Sequence, residues 1–197
     1  MTPLFIVISA PSGAGKTTLC DMLLQHYPEM CYSVSCTTRE PRGDEEDGED
    51  YHFLTVETFL RLIGEGSFLE HAEVHGNYYG TLKGPIEQAL RENQCALLDI
   101  DVAGAEQVRD YVAALPPDDP MRAGFMDVFI SPPSMGELEA RLYGRGTDSE
   151  DTIEKRLANA HQEMAQAGNY MFQIVNDDLD TAFRRLCDII NVKARLV

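Results

Sequence analysis

Leu4-Phe5-Ile6-Val7-Ile8-Ser9 runs directly into Ala10-Pro11-Ser12-Gly13-Ala14-Gly15-Lys16-Thr17. The first stretch is continuously apolar, which marks a strand buried on both faces of a parallel sheet. The second is rich in glycine and ends on a lysine and a hydroxyl. A helical pattern follows over Thr17–His26, with Leu19, Met22 and Leu23 on one side. Strand, glycine loop and helix in that order make a phosphate cradle. Glycines let backbone N–H groups curl around phosphate oxygens, and the helix N-terminus adds a favourable dipole. Lys16 has the reach for β- and γ-phosphates, and the Thr17 hydroxyl is of the type that ligates Mg²⁺. The general motif has glycine where Ala10 stands, but Gly13, Gly15, Lys16 and Thr17 keep the pattern. The expected donor-nucleotide contacts are Ala10, Pro11, Ser12, Gly13, Ala14, Gly15, Lys16, Thr17 and Thr18.

Outward from this junction, three further apolar runs read as buried strands: Cys95–Ile100, Phe125–Ser131 and Met171–Val175, with Tyr32–Ser35 as a weaker fifth. Helical patterns occupy Pro85–Glu92, Ser134–Gly144, Glu150–Ala167 and Asp180–Ala194. Ser134-x-x-Glu137 has the form of a capping box. Strands alternating with helices imply an α/β fold, a doubly wound parallel sheet of the P-loop nucleotide-triphosphatase type. Two segments break the alternation. Residues 36–82 are polar, aromatic and turn-rich, and 134–168 are helical with clustered arginine. Both are expected to project from the carboxyl edge of the sheet, where such folds bind ligands. The stretch Leu115–Gly124 reads as a surface loop.

Composition sets limits. The 197 residues carry a formal net charge of -17, which disfavours nucleic-acid backbones and anionic membranes as partners. Positive charge must therefore be concentrated locally. Twelve arginines against four lysines suit that need, because the guanidinium is the better bidentate phosphate ligand. Five cysteines, Cys20, Cys31, Cys36, Cys95 and Cys187, form no C-x-x-C pair and are expected to stay reduced, with Cys20, Cys95 and Cys187 buried. Leu4–Ile8 is too short for a membrane span, and a cytoplasmic location is expected. The five histidines are scattered without ligand spacing and are expected to be structural or solvent-facing.

The acceptor side lies in Ser35-Cys-Thr-Thr-Arg39-Glu-Pro-Arg42 and in Glu70-His-Ala-Glu-Val-His-Gly-Asn-Tyr-Tyr79-Gly-Thr81. With Leu-Asp-Ile-Asp at 98–101, Ser-Pro-Pro-Ser at 131–134, the arginines from Arg141 to Arg156 and Val-Asn-Asp-Asp at 175–178, the chain resembles the guanylate kinase family from about residue 4 to about residue 190. The resemblance implies transfer of the γ-phosphoryl group of ATP to GMP with Mg²⁺. It implies three parts: a core of residues 1–34, 83–133 and 169–197, a GMP-binding module of 35–82, and a helical lid of 134–168. It implies that Arg39, Arg42, Tyr51 and Tyr79 hold the GMP phosphate, with Glu45 nearby. Ser35, Glu70, Thr81 and Asp101 would read guanine. Arg145 and Arg156 would be lid arginines acting on the phosphoryl group with Lys16 and Arg39, and Arg141, Asn176 and Asp177 would lie on the ATP side. Asp99 and Asp101 could order the Mg²⁺ shell or touch GMP, and their division of labour stays open. The residue types fit this chemistry. Guanidiniums and phenols donate to a phosphate dianion, and an ionised carboxylate accepts guanine's adjacent N1–H and N2 amino protons. Two rivals remain at this point: a P-loop kinase for another phosphorylated acceptor, and a non-catalytic guanylate-kinase-like binding domain.

Overall fold

The computed structural model describes residues 3–144, 146 and 149–196. Five parallel strands form the central sheet: β1 (Phe5–Ser9), β2 (Cys31–Tyr32), β7 (Ala96–Asp99), β8 (Phe125–Ser131) and β9 (Phe172–Val175), in the order β2-β7-β1-β8-β9. Each of the four main apolar runs read from the sequence is a strand, Phe125–Ser131 with the same bounds and the others trimmed by a residue or two. The weaker fifth sits slightly earlier, at Cys31–Tyr32, on the edge. Strand β1 explains the continuous run. Leu4, Ile6 and Ile8 pack to one side with Leu19, Leu23, Leu186 and Ile190. Phe5 and Val7 pack to the other with Ile86, Leu98 and Val108. All five are fully buried, and each contributes roughly 1.5–3 kcal/mol relative to exposure.

Helices α1 (Lys16–His26) and α8 (Leu179–Leu196) cover the first face. Helices α3 (Lys83–Arg91) and α4 (Val102–Ala114) cover the second. Helix α4 was not foreseen in the sequence. Asp101 is its N-cap, accepting from Gly104 N at 2.7 Å. One charged pair is buried beneath it: Asp127, in the middle of β8, meets Arg109 of α4 at 3.0 Å and accepts from Met171 N at 2.7 Å. A fully buried carboxylate needs such partners, because unpaired burial of charge is costly.

A second sheet arises entirely within residues 36–82. Its order is β4-β3-β6-β5, from β3 (Cys36–Thr37), β4 (His52–Phe53), β5 (Phe68–Val74) and β6 (Asn77–Leu82). Helix α2 (Val56–Gly64), also unforeseen, is capped by Thr55 and closes a small core of Phe59, Phe68 and Cys36. Tyr78 stacks on Phe59 at 5.5 Å, a packing role. A third cluster joins α6 (Met135–Gly144) to α7 (Glu150–Ala165) through Leu138, Leu142, Ile153 and Ala160. The Ser134 hydroxyl accepts from Glu137 N at 3.1 Å, as the capping pattern required.

Two expectations need correction. The 115–124 stretch is not a plain loop. Asp119 caps a short helix, α5 (Pro120–Ala123), whose Met121 is buried in the core, so the connection is long because it supplies core. Among the cysteines, Cys187 is only half-buried, whereas Cys36 is fully buried in the second sheet; all five are free thiols. Burial pushes the Cys20 thiol up to about 12, with Asp99 adding to the effect, so it is inert although it lies one turn from Lys16. His26 sits edge-on to Tyr27 and Phe183, a structural position.

Candidate active site

Between β1 and α1 the chain makes the expected cradle. Gly13 and Gly15 have φ of +96° and +93°, where only glycine is unstrained. Space forbids side chains there as well. A Cβ on Gly13 would lie 3.0 Å from Leu138 and 3.1 Å from Leu142, so the loop is seated against α6. A Cβ on Gly15 would run into the Asn176 amide. That amide donates to Ala14 O at 2.8 Å, and Asn176, 5% exposed at the end of β9, is the clip that fixes the loop's shape. Arg141 donates to Asn176 O at 3.1 Å and approaches Glu137 at 3.3 Å. Arg141, Asn176 and Asp177 line one cleft with Gly13 and Gly15.

Two adjoining cavities share Lys16. The first, about 360 Å³, is walled by the cradle from Ala10 to Thr18, with Asp101 and Glu163. The second, about 400 Å³, is lined by Lys16, Ser35, Tyr51, Glu70, Tyr79, Asp99 and Asp101, among others. Lys16 Nζ lies 3.4 Å from Asp99, whose other oxygen accepts from Tyr32 OH at 2.9 Å. The two aspartates therefore differ. Asp99 faces the lysine, whereas one oxygen of Asp101 is occupied as the cap of α4.

Glu70 stands where β5 carries a bulge. Phe68 pairs with Leu82 but Glu70 pairs with Thr81, so one extra residue breaks the alternation. Phe68 is then free to enter the small core while Glu70 points to the cavity. The Thr81 hydroxyl donates to Glu70 Oε1 at 2.6 Å, and Ser35 Oγ lies 3.4 Å from the same hydroxyl. Burial raises the Glu70 pKa above 4.5; the Thr81 hydrogen bond opposes this and Asp101 adds to it.

The residues expected to take the GMP phosphate lie at the rim. Arg39 is 9% exposed and holds Glu45 bidentately at 2.8 and 3.0 Å, with its guanidinium over the ring of Tyr51 at 5.3 Å. Glu45 also accepts from Arg42 N at 2.7 Å, and the Arg42 side chain is exposed. Arg39 and Arg42 thus do not line the second cavity in this conformer. Arg39 is turned onto Glu45, whose pKa it holds below the usual carboxylate value. Of the two arginines expected in a lid, Arg156 donates to Ser12 Oγ of the cradle at 3.0 Å. Arg145 lies outside the described residues.

The sequence reading missed Glu163 and Tyr32. Glu163 follows Arg156 by seven residues, roughly two helical turns, so both face the cradle from α7. That spacing was visible. Burial raises the Glu163 pKa, Asp101 adds to it, and Lys16 opposes it.

Known proteins share the sequence and fold of this chain. The family model described as guanylate kinase matches residues 2–193. The chain is 53% identical over 182 residues to the guanylate kinase of Nitratidesulfovibrio vulgaris, covering 92% of this chain and 83% of that one. It is 46% identical over 185 residues to the guanylate kinase of a Synechocystis species, covering 94% and 92%. The crystal structure of guanylate kinase from Anaplasma phagocytophilum superposes with a TM-score of 0.74 at 32% identity, over 98% of this chain and 87% of that one.

Proposed function

Because this chain belongs to the guanylate kinase family and so transfers the γ-phosphoryl group of ATP to GMP, we propose how its residues divide that work. The supporting observation is that Lys16 lines both cavities, one walled by the cradle and one ending in Glu70. A donor phosphate in the first and an acceptor phosphate in the second would meet at the lysine. Residues 1–34, 83–133 and 169–197 act as the core, 35–82 as the GMP module and 134–168 as the lid.

The cradle amides, Lys16 and Thr18 bind the ATP phosphates, with Arg141, Asn176 and Asp177 beside the rest of the donor. Glu70, Thr81 and Ser35 select the base. Arg39, Arg42, Tyr51 and Tyr79 take the GMP phosphate, which requires Arg39 to exchange Glu45 for the ligand. Arg156, and Arg145 with it, neutralise charge on the group in flight. No general base is needed. The attacking phosphate oxygen has a second pKa of about 6 and is largely ionised at neutral pH.

Family membership implies Mg²⁺-dependent catalysis. The donor set fits a hard cation: Thr17 and Asp101 line the donor cavity, and Mg²⁺ is ordinarily held by few protein oxygens plus substrate phosphates. Thr17 would hold it, with Asp99 or Asp101 in the outer shell. When bound, it would screen negative charge on the transferring phosphoryl group. Among the described residues no helix is long and apolar enough to cross a membrane.

Assaying ADP release with ATP and Mg²⁺ against GMP, AMP, CMP, UMP and IMP tests the division of labour. GMP is expected to lead clearly. Equal use of AMP would remove Glu70 from its role.

Two smaller effects follow. A nonreactive ATP analogue together with GMP is expected to reduce the radius of gyration more than either alone, because module and lid both close. Scattering unchanged by the pair would refute mobile modules. The second effect is on pH. Guanine needs Glu70 ionised, and burial has raised its pKa, so KM for GMP is expected to climb as pH falls, starting above the ordinary glutamate value of 4.5. The GMP phosphate titrates nearby, so the difference between parent and Glu70→Gln isolates the carboxylate. Identical profiles in the two would refute the assignment.

A further inference from the structure

The two oxygens of Glu70 have different neighbours. Oε1 takes the Thr81 hydroxyl, from the module. Oε2 faces α4, a helix of the core: a Cβ built on Gly104 would lie 3.1 Å from Oε2 and 3.4 Å from Asp101 Oδ1. Gly104 sits in the first turn of α4 with ordinary helical backbone, so nothing in its dihedrals calls for glycine. What calls for it is space beside the carboxylate. One turn further, the Gln107 side chain accepts from His71 N and donates to His71 O, both at 3.2 Å. Its amide acts as a one-residue strand partner to β5, fixing the peptide immediately after Glu70.

We propose that Gly104 and Gln107 are positioning residues for base selection, so that the core helix α4 sets the plane of the Glu70 carboxylate. Gly104 leaves Oε2 free to lie in the guanine plane, and Gln107 holds the bulged strand in the register that points Glu70 there. The inference rests on the reading of Glu70 given above. Two parallel hydrogen bonds from N1–H and the N2 amino group demand one carboxylate orientation. A methyl at 3.1 Å displaces Oε2 by a few tenths of an ångström and spoils that match. Hypoxanthine offers only N1–H and tolerates a turned carboxylate better. The discriminating quantity is therefore GMP use relative to IMP use.

In Gly104→Ala, kcat/KM for GMP over that for IMP is expected to fall about tenfold, mainly through KM for GMP. KM for ATP is expected to stay at the parental value. The thermal midpoint is expected not to fall, because alanine favours helix over glycine. Gln107→Met keeps the bulk and removes both hydrogen bonds, and is expected to lower the same ratio by a smaller factor. A Glu70→Gln control run alongside separates two failures. If it lowers GMP use while both α4 variants keep the ratio within about twofold of the parent, the positioning role of α4 is wrong. If it leaves GMP use intact, the reading of Glu70 fails and this inference with it. Equal losses of GMP and IMP with a lowered midpoint would mark a merely structural role and also overturn the proposal.

Discussion

Lys16→Ala is expected to lower kcat by on the order of a thousandfold or more while leaving the protein folded. Among the described residues Lys16 is the cation that lines both cavities, 3.4 Å from Asp99. Removing a preorganised charge aimed at developing negative charge costs about 3–4 kcal/mol even for a single neutral donor, and a full charge in a water-poor site is worth at least that. The fold has little to lose. Lys16 opens α1, where alanine is the best helix former, and no core side chain depends on it. Asp99 keeps the Tyr32 hydroxyl as a partner. Circular dichroism and the thermal midpoint are therefore expected to match the parent, and steady-state turnover is the measurement that decides. Parental turnover in this variant would refute the cradle as the donor site.

The cradle was legible because its information is local. A buried strand, glycines at positions 13 and 15, and a lysine and threonine at the helix start leave one geometry open. What holds the cradle was not legible, because it comes from far along the chain: Asn176 clips Ala14 across 162 residues, and Leu138 and Leu142 fill the space that Gly13 vacates. Helix α4 was missed for a different reason. It buries Gly104, Ala105, Val108 and Val112, small residues whose periodicity is weak, and its cap, Asp101, reads as the end of a strand. The bulge in β5 could not be read either. Phe68-Leu69-Glu70 reads apolar, apolar, acidic, which suits a buried strand end as well as a bulge, and only pairing with β6 reveals the extra residue. At the acceptor rim the sequence offers Arg39 and Glu45 as charged neighbours of one loop, but not that Arg39 rests on Glu45. A charge pair six residues apart in an irregular loop has no periodic signature.

Glu70→Gln is expected to lower kcat/KM for GMP by roughly tenfold to over a hundredfold, while KM for ATP changes little. The argument starts from donors and acceptors. Ionised, Glu70 offers lone pairs only, and guanine presents two protons side by side. Thr81 already donates to Oε1 at 2.6 Å, which fixes the carboxylate and leaves directions on both oxygens for the base. Glutamine keeps the shape and replaces one oxygen with NH₂. If the amide oxygen stays toward Thr81, the NH₂ faces a guanine proton, and donor meets donor. If it flips, NH₂ meets the Thr81 hydroxyl, which must turn toward Ser35 Oγ, 3.4 Å away. Either way one charge-assisted bond is lost, worth about 1.5–3 kcal/mol, and Glu70 and Thr81 are too buried for water to replace it cheaply. AMP is expected to gain relative to GMP, because adenine N1 is an acceptor that the new amide can meet. A kinase reading only a sugar phosphate would register none of this. The fold is expected to be unharmed or stabilised at neutral pH, since burial disfavours the charge that glutamine removes. Turnover with GMP and AMP at saturating ATP, measured in parent and variant, decides the matter. Unchanged GMP kinetics would take Glu70 out of the base site and leave the bulge in β5 without a function.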